Sequence, residues 1–501
     1  MSSTTSPELC VSLLPESPEQ LRRWMPEAQA ADLIEIRVDR LRRIQMANLR
    51  ALTDRPLIIT LRTREEGGFW NGSPQQYVKT LQAAINAGVE YIDLEWKRAE
   101  YALPRLKLNN FTRIVLSHHT DERSYTRLRE ILWQMQETPA EVYKLVFSAE
   151  TLGDNVTALK LLEDARQAGM KAIIHAVGEA GTLSRLVGAI RGNAWTYVSV
   201  DPHQGTAPGQ LSLLEAREYY FIPHKAPHTH LLGLVGNPVQ QSRGWRLHNY
   251  LIEQEFGQAG RGEARTKDFL YVNFPVDHLD EFWADWEEYL YGLSVTIPYK
   301  EQVIKFLSEA TPEVRISGVC NTLVRTAGGW RGYNTDLMAI ETLLRPYREE
   351  LRNGGVVIGT GATARSAIAA LKRLEVSPIF VVGRNEERGK MLANLYGVDF
   401  LQEEEVHYAG ASGIIQTTPV GMAPNVDQYP VGTSLFRKDR VVLDVIYNPP
   451  ETRFLQIARE RGCVTISGVE MFLLQAAKQF ELFTGRAIDL EKVRRAWEMI
   501  G

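Results

Sequence analysis

Lys144 stands alone in the middle of an apolar, strand-like run, VYKLV, within a chain of 501 residues. Burying a primary amine is costly unless it is paired. It therefore reads in one of two ways. It is half of a structural Lys–Glu pair, or it is an amine that adds to a carbonyl, its pKa depressed by burial and nearby arginines. The ends of other short apolar runs carry matching chemistry: Glu35 and Arg37, Arg62 followed by Glu66 and Gly67-Gly68, His118 and His119, and Arg185. Converging cations, a histidine and two carboxylates favour the nucleophile. An imine on such a lysine acidifies the adjacent C–H, and a neutral imidazole is a suitable base near pH 7.

A second set lies in the C-terminal half. Lys300 follows VTIPY and Asp336 ends GYNTD. Such a pair can protonate a carbonyl and support the charge that results, or can be an ordinary surface ion pair. GTGATA (Gly359 to Ala364) follows the apolar run GGVVI and opens a helical pattern, where a helix N-terminus can take a pyrophosphate. About 20 residues beyond such a turn, NAD enzymes carry an acidic residue for the ribose 2′-hydroxyl. Here the segment reads VVGRNEER, and Arg384 argues for a 2′-phosphate, hence NADP.

Elements able to position the first set recur with a regular beat. Apolar runs occur at Leu9–Leu14, Leu33–Val38, Leu57–Leu61, Tyr91–Leu94, Arg113–Leu116, Val142–Phe147, Ala172–Ala176 and Thr196–Val200, with helical patterns between several of them. Eight such runs alternating with helices fit a (β/α)8 barrel over residues 1–222, whose chemistry sits at the C-terminal strand ends. FIPHKAPHTH lacks either periodicity and suggests an interdomain linker at 223–230. The rest divides into a substrate-binding lobe (231–335, joined by C-terminal helices at 469–501) and a Rossmann-like NADP domain (336–468).

Composition narrows the class. With 44% hydrophobic and 24% charged residues the chain is globular, and a net charge of −4 gives no sign of nucleic-acid or membrane-surface binding. Three cysteines (Cys10, Cys320, Cys463) without a CxxC imply neither a disulfide frame nor a zinc site, so buried thiols in a cytoplasmic enzyme are expected.

The motifs EIR, ITLR with EEGG, SHH, VYKLV, SRLVG and TAPGQ, in this order, resemble the type I 3-dehydroquinate dehydratases. The resemblance implies that Lys144 forms a Schiff base with the C3 ketone of 3-dehydroquinate. It makes His119 the acid/base at C2 and Glu66 the carboxylate that orients it. Glu35, Arg37, Arg62, Arg185, Thr206 and Gln210 become the substrate-binding set, with Arg185 as the carboxylate clamp. His118 departs from the pattern and is expected in a supporting or rim position. From Leu231 onward, VTIPYK, GVCNTL, GYNTD, GTGATA, DVIYNPPET and GVEMFLLQAAKQFELFTG resemble the shikimate dehydrogenases. That resemblance makes Lys300 and Asp336 catalytic and sets Ser242, Thr296, Asn321, Asn334, Tyr447 and Gln475 against the substrate. It assigns Gly359, Gly361, Ala364, Arg365, Arg384, Thr417, Gly468 and Met471 to the cofactor. One departure concerns the carboxylate site: where two serines are usual, this chain has Ser242 and Gly244. A quinate/shikimate dehydrogenase with relaxed cofactor choice is the rival enzyme, and a silent metabolite sensor the rival of another class. The sensor would be expected to have lost Lys144, His119, Lys300 or Asp336, and all four remain.

Overall fold

The computed structural model describes residues 6–41, 45–201, 205–257, 268–408 and 410–500. Every strand expected in the N-terminal part is present: β1 (Leu9–Leu13), β2 (Leu33–Arg37), β3 (Leu57–Thr60), β4 (Tyr91–Glu95), β5 (Arg113–Thr120), β6 (Val142–Ser148), β7 (Ala172–Val177) and β8 (Thr196–Val198). They form one parallel sheet in the order β7-β6-β5-β4-β3-β2-β1-β8. At its open seam the Ala194 N–H donates to the Ala172 carbonyl at 2.8 Å, which ties the approach to β8 to the start of β7. The sheet is thus a nearly closed eight-stranded barrel.

Register explains how one barrel holds both a core and a site. Cys10, Leu33, Ile58, Val115, Val142, Ile173, Trp195 and Tyr197 pack into one buried apolar cluster at the N-terminal strand ends. Burying each large member contributes roughly 1.5–3 kcal/mol. Residues two apart on a strand share a face. The same inward face, followed toward the C-terminal ends, turns polar. Ser117 is opposite Lys144, and Lys144 is opposite Ile173; one step higher, His119, Val146 and His175 stand level on β5, β6 and β7.

The remaining strands make two sheets. β9 (His230–Gly236), β10 (Phe269–Pro275), β11 (Leu290–Val295), β12 (Glu309–Ala310), β13 (Thr322–Thr326) and β14 (Gly329–Tyr333) are ordered β10-β9-β11-β13-β14-β12. Of these, β13 and β14 form an antiparallel hairpin for which the sequence reading names no strand. β15 (Gly355–Ile358), β16 (Ile379–Val382), β17 (Asp399–Leu401), β18 (Gly413–Gln416), β19 (Val441–Asp444) and β20 (Val464–Ile466) run parallel as β17-β16-β15-β18-β19-β20. This is the doubly wound order of nucleotide-binding folds. Its strands are apolar on both faces, as a sheet covered on both sides requires. Val357, Val381, Ile415 and Leu443 enter one core and Val356, Val382, Ile414 and Val442 the other.

The chain divides into two compact units, one of Met1–Leu231, Ile252–Leu270 and Asp280–Tyr289, the other of Leu232–Leu251, Tyr271–Leu279 and Leu290–Gly501. The stretch expected as a linker is pinned within the first. Lys225 is fully buried and its Nζ donates to Asp268 Oδ1 at 3.1 Å and to the Phe269 carbonyl at 2.9 Å. Among the described residues no helix is long and apolar enough to cross a membrane.

Candidate active sites

In the barrel, Lys144 is 6% exposed and its Nζ lies 3.5 Å from both Glu35 Oε1 and Asp93 Oδ2, and 4.1 Å from the centre of the Tyr197 ring. The expected arginine neighbours are replaced by carboxylates: Arg37 is turned to Asp39 in a two-point contact (2.8 and 2.7 Å), and Arg62 is saturated elsewhere. Glu35 accepts from Ser12 Oγ and, at 2.8 Å, from Thr60 Oγ1. Burial pushes its carboxyl up, but Lys144 and these hydrogen bonds outweigh burial and bring the pKa down to about 2. Thr206 Oγ1 reaches Ser12 Oγ at 3.2 Å and Gln210 Oε1 at 3.1 Å. Ser12 therefore joins Glu35, Thr206 and Gln210 into one wall, and the Gln210 amide nitrogen is left buried without a partner.

Arg62 is the hub beneath the histidines. Its guanidinium contacts Asp93 through two 2.9 Å bonds, Glu66 at 3.1 Å, Glu95 at 3.3 Å and Ser117 Oγ at 2.9 Å. Both terminal nitrogens of the guanidinium are thus engaged by the protein, and Arg62 braces the carboxylates around it. Gly68 is part of this brace: a Cβ there would fall 2.2 Å from the Arg62 carbonyl oxygen. Glu66 faces both histidines, Oε1 at 2.9 Å from His118 Nδ1 and Oε2 at 3.1 Å from His119 Nδ1. Burial works against the charge of Glu66. Hydrogen bonds from His118 and His119, with the Arg62 charge, still hold its carboxyl well below the usual range. An ionised Glu66 only accepts, so both Nδ1 atoms carry protons and the Nε2 of a neutral His119 keeps its lone pair. Burial and then Arg62 lower the His119 pKa to about 3, against the pull of Glu66. His118 is 2% exposed and packs edge-on to Trp96, so it is an interior partner of Glu66 and has no place on the rim.

Arg185, in the Thr182–Ala189 helix, is 3% exposed. Among the described residues its side chain has no ion pair or hydrogen bond, and its Nε is buried and unpartnered. Burial lowers its pKa to about 10. A buried guanidinium without a counter-ion is a site built for an anion.

In the second unit Lys300 Nζ donates to Asp336 Oδ2 at 2.6 Å. Buried Tyr299 anchors the lysine loop by donating to the Val276 and Asp277 carbonyls, each at 2.8 Å, and the Cys320 N–H donates to the Lys300 carbonyl at 2.8 Å. Asp336 lies in the first turn of the Thr335–Leu344 helix, where the helix dipole favours a carboxylate. Two expected substrate contacts have other partners. Asn334 caps that helix through Leu337 N–H, and its amide donates to Ser317 and Ser366. Asn321 exchanges hydrogen bonds with Thr335. In this structure the polar atoms of both side chains are engaged by these neighbours. Thr296 and Gln475 are half-buried. Tyr447 stacks on Phe472 at 4.7 Å, and burial raises its pKa against a hydrogen bond with Ser242 and the nearby charge of Arg243.

The glycine turn fits a dinucleotide. Gly359 has φ +125°, and a Cβ there would lie 2.4 Å from Thr417 Oγ1. A Cβ on Gly361 would meet open space, and no side chain caps the Ala362–Arg373 helix behind it. Its first N–H groups are thus presented to a ligand. Arg384 is exposed just after β16 and makes no ion pair among the described residues. Arg365 pairs with Glu301 at 3.0 Å. Ala364 and Met471 are packed in the apolar core, and a Cβ on Gly468 would strike the Ile446 carbonyl oxygen at 2.2 Å. These three are thus packed against the interior of the domain.

Sequence reasoning missed Ser12, Thr60, Asp93, Glu95, Ser117 and His175. A signal existed for two of them, since Asp93 and Glu95 repeat the two-apart spacing of Glu35 and Arg37.

Comparison with known proteins bears on both halves. The family model for type I 3-dehydroquinase matches residues 9–227. That for the shikimate dehydrogenase substrate binding domain matches 234–323, and that for the shikimate 5'-dehydrogenase C-terminal domain matches 468–496. The chloroplastic bifunctional 3-dehydroquinate dehydratase/shikimate dehydrogenase of Arabidopsis thaliana is 29% identical over 91% of this chain and 78% of its own. The shikimate dehydrogenase (NADP(+)) of Synechocystis sp. is 34% identical over 55% of this chain and 97% of its own. Among solved structures, dehydroquinate dehydratase and shikimate dehydrogenase from S. pombe AroM aligns over 99% of this chain and 98% of its own at 24% identity, with a TM-score of 0.43. The chain belongs to the shikimate dehydrogenases, joined on its N-terminal side to a type I 3-dehydroquinase.

Proposed function

We propose that the barrel dehydrates 3-dehydroquinate through an imine on Lys144, and that the second unit reduces the product, 3-dehydroshikimate, to shikimate with NADPH. The observation that carries the first half is the meeting, inside one barrel mouth, of a buried lysine, a neutral His119 aligned by Glu66, and an Arg185 without a counter-ion. Lys144 adds to the C3 carbonyl and water leaves, giving an iminium that draws electrons from C2. His119 Nε2 takes the C2 proton and returns it to the departing C1 hydroxyl, which leaves as water. Hydrolysis of the imine then frees the amine. Arg185 holds the carboxylate throughout.

In the second site, Lys300 donates a proton to the ketone oxygen while Asp336 keeps the ammonium aimed. The reduced nicotinamide, when bound, supplies hydride. Gly359, Gly361 and Thr417 would hold the pyrophosphate side and Arg384 the 2′-phosphate. Three free, buried cysteines support a reducing, cytoplasmic setting.

Arg185→Ala tests the anion clamp. Losing a charge-assisted contact costs about 1.5–3 kcal/mol, so KM for 3-dehydroquinate should rise roughly 10- to 100-fold. Steady-state kinetics showing an unchanged KM would remove Arg185 from the site. By the same arithmetic Arg384→Ala should raise KM for NADPH about 10- to 100-fold and leave that for NADH nearly unchanged. Equal effects on the two cofactors would mean the arginine does not read the phosphate.

Gly244 is open to a third test. A Cβ there would sit 3.4 Å from Ser242 Oγ, an ordinary contact, so a serine fits. Gly244→Ser should lower KM for 3-dehydroshikimate several-fold with kcat unchanged, because a remote carboxylate contact stabilises ground and transition states alike. An unchanged KM would mean the carboxylate already has its second partner, with Arg243 the residue to test next.

A further inference from the structure

His175 has no part in the chemistry described so far, yet it is 1% exposed and neither ring nitrogen has a hydrogen-bond partner. A buried imidazole left so is costly in an apolar setting and calls for a partner that arrives later. Its surroundings indicate which one. On β7 it stands opposite Val146 of β6, which in turn stands opposite His119 of β5. It therefore faces the barrel interior one step nearer the mouth than the backbone of Lys144, at the level the lysine side chain reaches toward. The Tyr197 ring lies against both, with its centre 6.3 Å from that of His175 and 4.1 Å from Lys144 Nζ. Burial, with the charges of Arg185 and Lys144 close by, keeps the ring neutral at physiological pH. A neutral imidazole offers one N–H donor and one acceptor.

We propose that His175 is a substrate-binding residue of the dehydratase, its ring N–H donating to the carboxylate that Arg185 holds. The inference rests on the dehydratase reading above. Both the substrate and the product, which keeps the carboxylate after the C1 hydroxyl has gone, use this bond. It is made away from the breaking bonds, so it contributes to binding more than to the chemical step. The unpartnered state before binding also means that the residue is retained at a cost to the stability of the free enzyme.

The experiment uses the full chain and two variants, His175→Leu and His175→Gln. In His175→Leu the KM for 3-dehydroquinate should rise about 10-fold or more, as expected for losing a hydrogen bond to a charged group, with kcat within about 3-fold. The half-saturating 3-dehydroshikimate concentration for borohydride trapping on the Lys144 peptide should rise by the same factor. The melting temperature without ligand should hold or increase, since an apolar side chain replaces an unpartnered polar one. His175→Gln keeps an N–H donor and should recover most of the affinity. Unchanged KM and trapping in both variants would overturn the proposal, as would a loss in kcat without a change in KM. Absence of trapping in the unsubstituted chain is a different result, for it would overturn the imine mechanism itself.

Discussion

Lys144→Ala should abolish dehydration of 3-dehydroquinate while the same polypeptide still reduces 3-dehydroshikimate. The expected loss is about 10⁴-fold or more, the scale on which a covalent mechanism fails when its nucleophile is removed. The reason is specific to this site. Among the described residues no other lysine pairs with Glu35 or Asp93, and His119 can abstract a C2 proton only when an iminium at C3 takes up the electrons. Borohydride added with substrate should fix a covalent adduct on the Lys144 peptide of the unsubstituted chain and none on the variant. An adduct on a different residue, or full activity without one, would remove the Schiff base. Removal of one cation also leaves Glu35 and Asp93 facing each other with less compensation, so the variant should be less stable as well. Retained reductase activity reports on the second unit, and circular dichroism is needed to show that the barrel has kept its fold.

Lys300→Ala is the mirror experiment. Reduction of 3-dehydroshikimate should fall about 10²- to 10⁴-fold in kcat, the usual contribution of a positioned acid, with dehydration intact. Asp336→Asn should fall by less, because it leaves the ammonium present but loses the 2.6 Å ion pair that aims it. Stopped-flow traces of NADPH absorbance would separate the chemical step from release. Equal kcat in the parent and Lys300→Ala would assign the proton to another donor.

The elements were far more legible than the contacts among them. Apolar runs marked all eight barrel strands, because a strand whose interior end joins a packed layer must be β-rich and apolar there. The polar upper layer was only partly visible. Asp93, Ser117 and His175 each occupy one position in an otherwise apolar run, and without the register such a residue cannot be told from one that faces outward. Once β5, β6 and β7 are aligned, the parity is settled by Lys144. The hairpin Thr322–Tyr333 was hidden for another reason: its strands lie mostly between GVCNTL and GYNTD, whose turn-forming and polar residues overlap them only at Thr322, Leu323, Gly332 and Tyr333. Arg62 and Asn334 mark a further limit. Their residue types suit a ligand, but sequence does not reveal that Asp93 and Glu66, or Ser317 and Ser366, already engage their donors.

The central claim, two consecutive reactions in one chain, is tested most directly by supplying purified protein with 3-dehydroquinate and NADPH and nothing else. Shikimate should accumulate, with one NADPH oxidised for each molecule formed, and Lys144→Ala should produce none until 3-dehydroshikimate is added. Accumulation of 3-dehydroshikimate with NADPH untouched, or no turnover of 3-dehydroquinate at all, would contradict the account.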